Sequence, residues 1–203
     1  MIGTVTAIHA LAVISPGPDF IMVIRNSLVY SRRIGIWTSV GFGLGIAVHI
    51  TYSLAGLAII ISQSILLFNV IKFFGAGYLI YIGIRSILSK KSNVNLEKEE
   101  TKKEITPLNA VRIGFLTNVL NPKATLFFLS LFTFVITPNT PGIILAIVSA
   151  IMIINTMIWF SIVSIFISQK NIRKIFEKFE GIFNKTFGVL LVTLGLKIAL
   201  TKR

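Results

Sequence analysis

Two ionisable residues, Asp19 and Lys123, stand inside long apolar stretches, and each directly follows a proline. If these stretches cross a membrane, a charge at their centre costs about 2.5–3.5 kcal/mol on insertion scales, so both side chains should face the protein interior. Asp19 could take up a proton or hold an ammonium group, and Lys123 could hold a carboxylate. The two could instead neutralise each other as a fixed ion pair. The sequence leaves the binding site and the structural pair both open.

The backbone beside both residues carries helix-breaking residues. These are Pro16, Gly17 and Pro18 in the first stretch and Pro122 in the second. A proline inside a helix removes a donor and clashes with the preceding turn, so both stretches are predicted to break. Such a break is tolerated at membrane depth where it faces protein or a water-filled cavity. Free N–H groups at a half-helix start would suit a carboxylate, and freed carbonyls would suit an ammonium group or a proton.

The composition indicates that these stretches do cross a membrane. The chain has 203 residues, of which 54% are hydrophobic and 13% charged. A membrane-crossing helix needs roughly 20 apolar residues. Six segments approach or exceed that need, at 2–24, 34–61, 65–88, 107–136, 143–167 and 187–200. We therefore predict an all-α polytopic membrane protein with six transmembrane helices in a lipid bilayer.

Charge and cysteine content exclude several other classes. The formal net charge of +13 would suggest nucleic acid as the partner of a soluble protein. Here the basic residues cluster between the apolar segments, as expected of loops that stay on the cytoplasmic side, so we expect no nucleic-acid partner. The chain has no cysteine, which excludes disulfides, thiolate metal sites and dithiol redox chemistry.

The segments divide into two halves of one membrane domain, 1–203. Residues 1–88 hold the first three predicted helices, 89–106 form a linker of mixed charge, and 107–203 hold the other three. The linker is predicted to be a solvent-exposed loop without a catalytic or binding role. A basic stretch at 170–185 has the spacing of a short interfacial amphipathic helix ahead of the last segment.

Lysine and arginine counts predict the orientation. The connections at 25–33, 85–106 and 170–185 carry three, six and five basic residues, whereas the opposite side carries only the two at the C-terminus. The positive-inside rule places these three connections in the cytoplasm. With six spans, both termini then lie outside.

The two halves share sequence features at corresponding positions. The first segment of each half contains a proline followed by an ionisable residue, and residues 81–85 resemble 193–197, with Gly83 matching Gly195. Three spans per half, an odd number, give the copies opposite orientations. An inverted repeat with broken helices in matching positions is the best sequence indication of a transporter's binding site.

The motifs at these positions resemble the LysE family of amino-acid exporters, within the RhtB branch of homoserine, threonine and homoserine-lactone efflux. The resemblance covers essentially the whole chain. Its markers are Pro-Gly-Pro-Asp-Phe at 16–20, a glycine-rich second helix from 41, Gly-x-x-Tyr-Leu-x-Tyr-x-Gly at 75–83, Gly-Phe-x-x-Asn-x-x-Asn-Pro-Lys at 114–123 and, more weakly, Gly-x-Leu-Leu-x-x-x-Gly-Leu at 188–196.

The resemblance implies an inner-membrane protein that exports amino acids or their derivatives, is driven by the proton gradient, is often a homodimer and is not an enzyme. It implies no cofactor. By the same resemblance, the pathway for substrate and protons is lined by Pro16, Gly17, Pro18, Asp19, Asn118, Asn121, Pro122 and Lys123.

Two rival classes fit the residues less well. Efflux of metal or other cations would favour Cys, His and carboxylate ligands, and the spans offer two histidines and one acid. A membrane enzyme would need a nucleophile and base in a recognisable arrangement, which no motif here supplies. The two histidines, His9 and His49, are interpreted as hydrogen-bonded contacts between helices rather than as a proton relay.

Overall fold

The computed structural model of the chain describes residues 2–63, 65–88, 105–135, 140–167 and 169–200. All regular secondary structure in these ranges is α-helical, which confirms the predicted all-α class. The helices are α1 (Ile2–Ile14), α2 (Pro18–Val29), α3 (Arg32–Gln63), α4 (Ile65–Leu88), α5 (Pro107–Val119), α6 (Pro122–Val135), α7 (Gly142–Phe166) and α8 (Lys170–Leu200).

The first apolar segment is broken where its sequence predicts. Helix α1 ends at Ile14, and α2 begins at Pro18 with Gly17 as its N-cap. Pro18 is suited to the first helical position because its missing N–H would have no partner there. The two helices form an angle of 56°. Asp19 lies in the first turn of α2, where the positive end of the helix dipole favours a negative charge.

The fourth segment is broken in the same way. Helix α5 ends at Val119, and α6 begins at Pro122. Asn121 caps α6, since its side-chain oxygen accepts a hydrogen bond from the backbone N–H of Lys123 at 3.0 Å. Lys123 therefore stands at the start of α6, as Asp19 stands at the start of α2, but with the opposite charge.

Two helices are long and apolar enough to cross a membrane by themselves, namely α7 and the part of α3 at Arg32–Gly56. The bent pair of α1 and α2 makes a third candidate span. Helices α4 and α8 and the pair of α5 and α6 cover the third, sixth and fourth predicted segments. The described ranges are thus all-helical and include candidate membrane spans, and six spans stay a prediction.

Two of the predicted connections are largely helical, which confirms that 170–185 is helical and corrects the connection predicted at 25–33. In 25–33, only Tyr30 and Ser31 lie between α2 and α3, because the arginines there do not stop a helix. The basic stretch at 170–185 continues into the last segment as the single helix α8. It contains no proline, and Gly181 costs a helix only about 1 kcal/mol. The predicted linker 89–106 lies outside the described residues except at 105 and 106.

Helix α3 is the centre of the packing and contacts α2, α5, α6 and α7, while α4 packs mainly on α8. Glycines allow the closest crossings. A methyl group at Gly114 would meet the Thr38 carbonyl, and one at Gly41 would meet the Val111 carbonyl and lie 2.7 Å from the Phe115 nitrogen. Small residues permit such approaches where no hydrophobic force draws helices together in lipid.

The buried apolar side chains form two clusters. The first cluster includes Val5 and Ile8 of α1 together with Phe128, Leu131 and Phe132 of α6. The second cluster is made of Phe20, Val23, Ile24, Phe42, Phe160, Val163 and Ile167. Since α1 contributes to the first and α2 to the second, the break between these helices lies between the two clusters.

Candidate functional site

A cavity lies at the two helix breaks and is lined by α1, α2, α3, α5, α6 and α7. Its polar lining consists of His9, Ser15, Asp19, Asn118, Asn121, Lys123 and Thr156. Its apolar walls include Ile46, Phe20, Phe127, Phe128 and Phe160. About 50 Å³ is open to water, which is room for about four water molecules. A whole amino acid needs the cavity to widen.

Asp19 reaches across the cavity to the other half of the chain. Its Oδ2 accepts a hydrogen bond from Nδ2 of Asn118 at 2.8 Å. Asn118 is buried near the end of α5, so the bond joins the start of one half-helix to the end of another. Oδ1 of Asp19 has no hydrogen-bond partner among the described residues, and it is a free acceptor for a cationic group.

Lys123 makes the corresponding contact in the opposite direction. Its Nζ donates to the backbone carbonyl of Ser15 at 3.3 Å, just beyond the end of α1. Its ammonium group also lies 3.5 Å from where a methyl group on Gly17 would be. Asp19 thus lies at the start of α2 and contacts the end of α5. Lys123 lies at the start of α6 and contacts the residue that follows α1.

The remaining predicted residues shape the breaks. Pro18 and Pro122 start α2 and α6, and Pro16 lies between α1 and α2. The Pro122 carbonyl accepts a hydrogen bond from the Tyr78 hydroxyl at 3.3 Å. Of the eight predicted pathway residues, the structure places the following around the cavity: Gly17, Asp19, Asn118, Asn121 and Lys123.

Helix α3 holds Asn118 from two sides. A methyl group at Gly45 would lie 2.5 Å from Oδ1 of Asn118, so only glycine leaves room for this amide. One turn later, Nε2 of His49 donates to the Asn118 carbonyl at 2.9 Å, and Nδ1 lies 2.6 Å from the Tyr52 hydroxyl. The neutral ring then accepts from Tyr52. Gly45 belongs to the glycine-rich second segment, but its contact with Asn118 was not predicted from the sequence.

His49 also reaches the other half-helix, because its ring stacks on Phe128 with centroids 5.8 Å apart. The ring of His9 contacts the same phenylalanine at 5.7 Å. His9 is hydrogen-bonded to Asn155 of α7, with Nδ2 of the amide 3.3 Å from Nδ1 of the ring. Both histidines therefore lie in hydrogen-bonded contacts between helices, as interpreted from the sequence.

Thr156 and the phenylalanines of the cavity were missed by the sequence reasoning. The signal for Thr156 is weak, since it is one of several hydroxyl residues in the most apolar helix of the described chain. Phe127 and Phe128 follow Lys123 by about one turn of α6, which places them near the break once α6 is known to start at Pro122. A lining role for them could have been predicted from that spacing.

The described ranges contain no cluster of side chains that could bind a metal ion. No group of three or more His, Cys, Asp or Glu side chains forms there. The cavity instead combines one carboxylate, one ammonium group and several neutral hydrogen-bonding groups within aromatic walls. Such a set suits a small zwitterion, whose two charges are opposite to those of the protein.

The fold and the cavity thus define a helical membrane protein with oppositely charged residues at two helix breaks. The family model of LysE type translocators matches residues 10–202. The chain belongs to this family, which confirms the resemblance identified from the motifs.

Two curated relatives cover nearly the full length of the chain. The uncharacterised membrane protein YrhP of Bacillus subtilis is 30% identical over 96% of both chains. The threonine efflux protein of Escherichia coli K12 is 26% identical over 98% of this chain and 97% of its own. No solved structure matches the chain. The family and these names indicate a membrane transporter of amino-acid type.

Proposed function

We propose that the protein is a secondary active transporter that exports amino acids or their derivatives across the cytoplasmic membrane, coupled to the proton gradient. The observation that carries this proposal is the placement of Asp19 and Lys123 in one cavity, each at the start of a half-helix. Family membership and the threonine efflux relative support the class of substrate. Threonine is therefore the first substrate to test.

In the proposed site, the two charges bind the two ends of a zwitterion. Oδ1 of Asp19 accepts from the substrate ammonium group, and Nζ of Lys123 donates to the substrate carboxylate. The positive end of the α6 helix dipole adds to the carboxylate site. When the substrate leaves, Asp19 either takes up a proton or pairs with Lys123, because an unpaired charge at this depth is costly.

The contacts between α4 and α8 support an inverted repeat. A methyl group at Gly83 would lie 2.7 Å from the Gly188 carbonyl, and one at Gly195 would lie 2.7 Å from the Ala76 carbonyl. The sequence offset that relates Gly83 to Gly195 also relates Ala76 to Gly188. The helices are antiparallel at this crossing, so a two-fold axis perpendicular to them exchanges the halves, as expected of inverted-topology transporters.

The same axis supports alternating access. When the two halves are aligned by matching Asp19 with Lys123, Asn118 lies one residue from the position that matches Ser15. Exchanging the halves therefore turns the contact of Asp19 with Asn118 into that of Lys123 with Ser15. The first and second apolar clusters each contribute phenylalanine side chains to the wall of the cavity. Rocking of one half against the other would separate one cluster while keeping the other packed, and it would also widen the cavity for a substrate.

The orientation that accompanies this function follows the basic residues. Connections 25–33, 85–106 and 170–185 lie in the cytoplasm, and both termini lie outside. The proposal includes the homodimer that the family resemblance implies.

We expect cells that produce the protein to survive toxic amino acids better than cells without it. After they are fed a threonine-containing dipeptide, they should also release threonine at least several times faster. The purified protein in liposomes should export threonine faster when a proton gradient is imposed. Equal release by cells with and without the protein, for all amino acids tried, would contradict the proposed function.

The topology is tested with a single cysteine, since the chain has none of its own. A cysteine placed at Asn95 should resist a membrane-impermeant thiol reagent in intact cells and react after the membrane is opened. A matched cysteine at Arg203 should react in intact cells. Labelling at Asn95 in intact cells would show that the orientation is opposite to the predicted one. Protection at both positions would favour five spans.

A further inference from the structure

Two cavity residues outside the proposed contacts with the substrate's charged groups, and outside the hydrogen bond between Asp19 and Asn118, each have a buried polar atom without a hydrogen-bond partner among the described residues. These atoms are Nε2 of His9 and Oγ1 of Thr156. Both side chains line the cavity, and both residues are only 1% exposed. Buried polar groups in proteins are almost always hydrogen-bonded, so these two atoms need a partner that the described residues do not supply. Neither residue takes part in the proposed binding of the substrate's ammonium and carboxylate groups.

The hydrogen bond on the far side of the His9 ring determines what the ring offers to the cavity. Nδ2 of Asn155 lies 3.3 Å from Nδ1 of His9, and an amide nitrogen only donates, so Nδ1 accepts. The neutral ring then carries its proton on Nε2. His9 thus offers an N–H donor, and Thr156 offers a hydroxyl that can donate or accept. Asn155 is the positioning residue for the ring.

The ring of His9 has aromatic neighbours. The His9 ring lies 6.3 Å from the Phe127 ring and 5.7 Å from the Phe128 ring. Among the described lining residues, the ionisable groups besides His9 are Asp19 and Lys123. Once Asp19 and Lys123 bind the substrate's ammonium and carboxylate groups, a charged substrate side chain would have no opposite charge to pair with. A purely aliphatic side chain would leave both polar atoms without a hydrogen bond.

We propose that His9 and Thr156 are specificity-determining residues that hydrogen-bond an oxygen atom on the substrate side chain. This inference rests on the proposed export of amino acids. Nε2–H of His9 donates to the side-chain oxygen, and the Thr156 hydroxyl exchanges a hydrogen bond with it. Short amino acids with an uncharged, oxygen-bearing side chain are therefore selected over aliphatic amino acids of the same size.

Threonine and valine test this selection, because they have nearly the same shape and differ by one hydroxyl. With the full chain in liposomes, kcat/KM for threonine should exceed that for valine by about tenfold, as expected for one buried hydrogen bond. Thr156→Val should bring the two values within about twofold of each other by lowering the value for threonine. Thr156→Ser keeps the hydroxyl and should keep the preference.

Two further variants complete the test. His9→Phe keeps an aromatic ring beside Phe128 and should reduce the threonine preference as Thr156→Val does. Thr193→Val is the matched control, since that exposed hydroxyl donates to the Val189 carbonyl of its own helix, and it should leave the preference unchanged.

The outcomes separate this inference from the proposed function. Equal export of threonine and valine by the wild type, or an unchanged preference in both Thr156→Val and His9→Phe, would show that the inference is wrong while amino-acid export stands. If the wild type exports no amino acid at all, the proposed function is wrong and the inference falls with it.

Discussion

Asp19→Asn should lower export by at least about 100-fold, the range seen when one partner of a buried charge pair is removed. Asparagine has nearly the same shape and can still pair with Nδ2 of Asn118 through its oxygen. It cannot take up a proton or attract an ammonium group as a carboxylate does. The loss should therefore appear in transport, measured in cells and in liposomes, while the amount of protein in the membrane stays near normal.

A second variant separates transport from structure. If Asp19 and Lys123 are mainly a structural pair, the double variant Asp19→Lys with Lys123→Asp should fold and recover part of the export that either charge reversal alone removes. If they have separate roles at the substrate, export should not recover. Full export by Asp19→Asn alone would remove Asp19 from the mechanism.

The positions of the breaks and of the charges could be predicted because local chemistry determines them. Proline at the first helical position is a local constraint, so Pro18 and Pro122 indicated where α2 and α6 begin. The cost of charge in a membrane predicted that Asp19 and Lys123 would face the interior. They do lie in one cavity, although the sequence could not give the intermediate contacts with Asn118 and Ser15.

The parts that could not be predicted depend on contacts between distant segments. Thr156 is an ordinary hydroxyl in a long apolar helix, and its place at the cavity follows from the packing of α7 on α1, α2 and α3. The role of Gly45 depends on the side chain of Asn118, which is far away in sequence. The continuity of α8 was missed because the amphipathic and apolar parts have different patterns, although both are helical.

Gly41→Ala should destabilise the protein, because a methyl group there would meet the backbone of α5 at the Val111 carbonyl and the Phe115 nitrogen. A backbone contact cannot be relieved by turning a side chain, so α3 and α5 must move apart. Overpacking of this kind costs about 1–3 kcal/mol. At about 2–4 °C per kcal/mol, the melting temperature of the purified protein should fall by roughly 2–12 °C.

Gly56→Ala is the matched control in the same helix, since no described atom outside the adjoining backbone lies within 4 Å of a methyl group at that position. Alanine is favoured over glycine in a helix by about 1 kcal/mol, so this variant should melt at the wild-type temperature or slightly above. Equal melting temperatures for Gly41→Ala and Gly56→Ala would show that the crossing of α3 and α5 tolerates a wider spacing than the structure has.

Gly41→Ala should also affect export beyond its effect on stability. Helix α5 carries Asn118, whose amide fits against Gly45 of α3 and donates to Asp19. Moving α5 away from α3 lengthens the bond from His49 to the Asn118 carbonyl and shifts the amide relative to the carboxylate. Export per folded molecule should therefore fall even well below the melting temperature. A variant that is less stable but exports at the wild-type rate would show that the position of Asn118 is not limiting for transport.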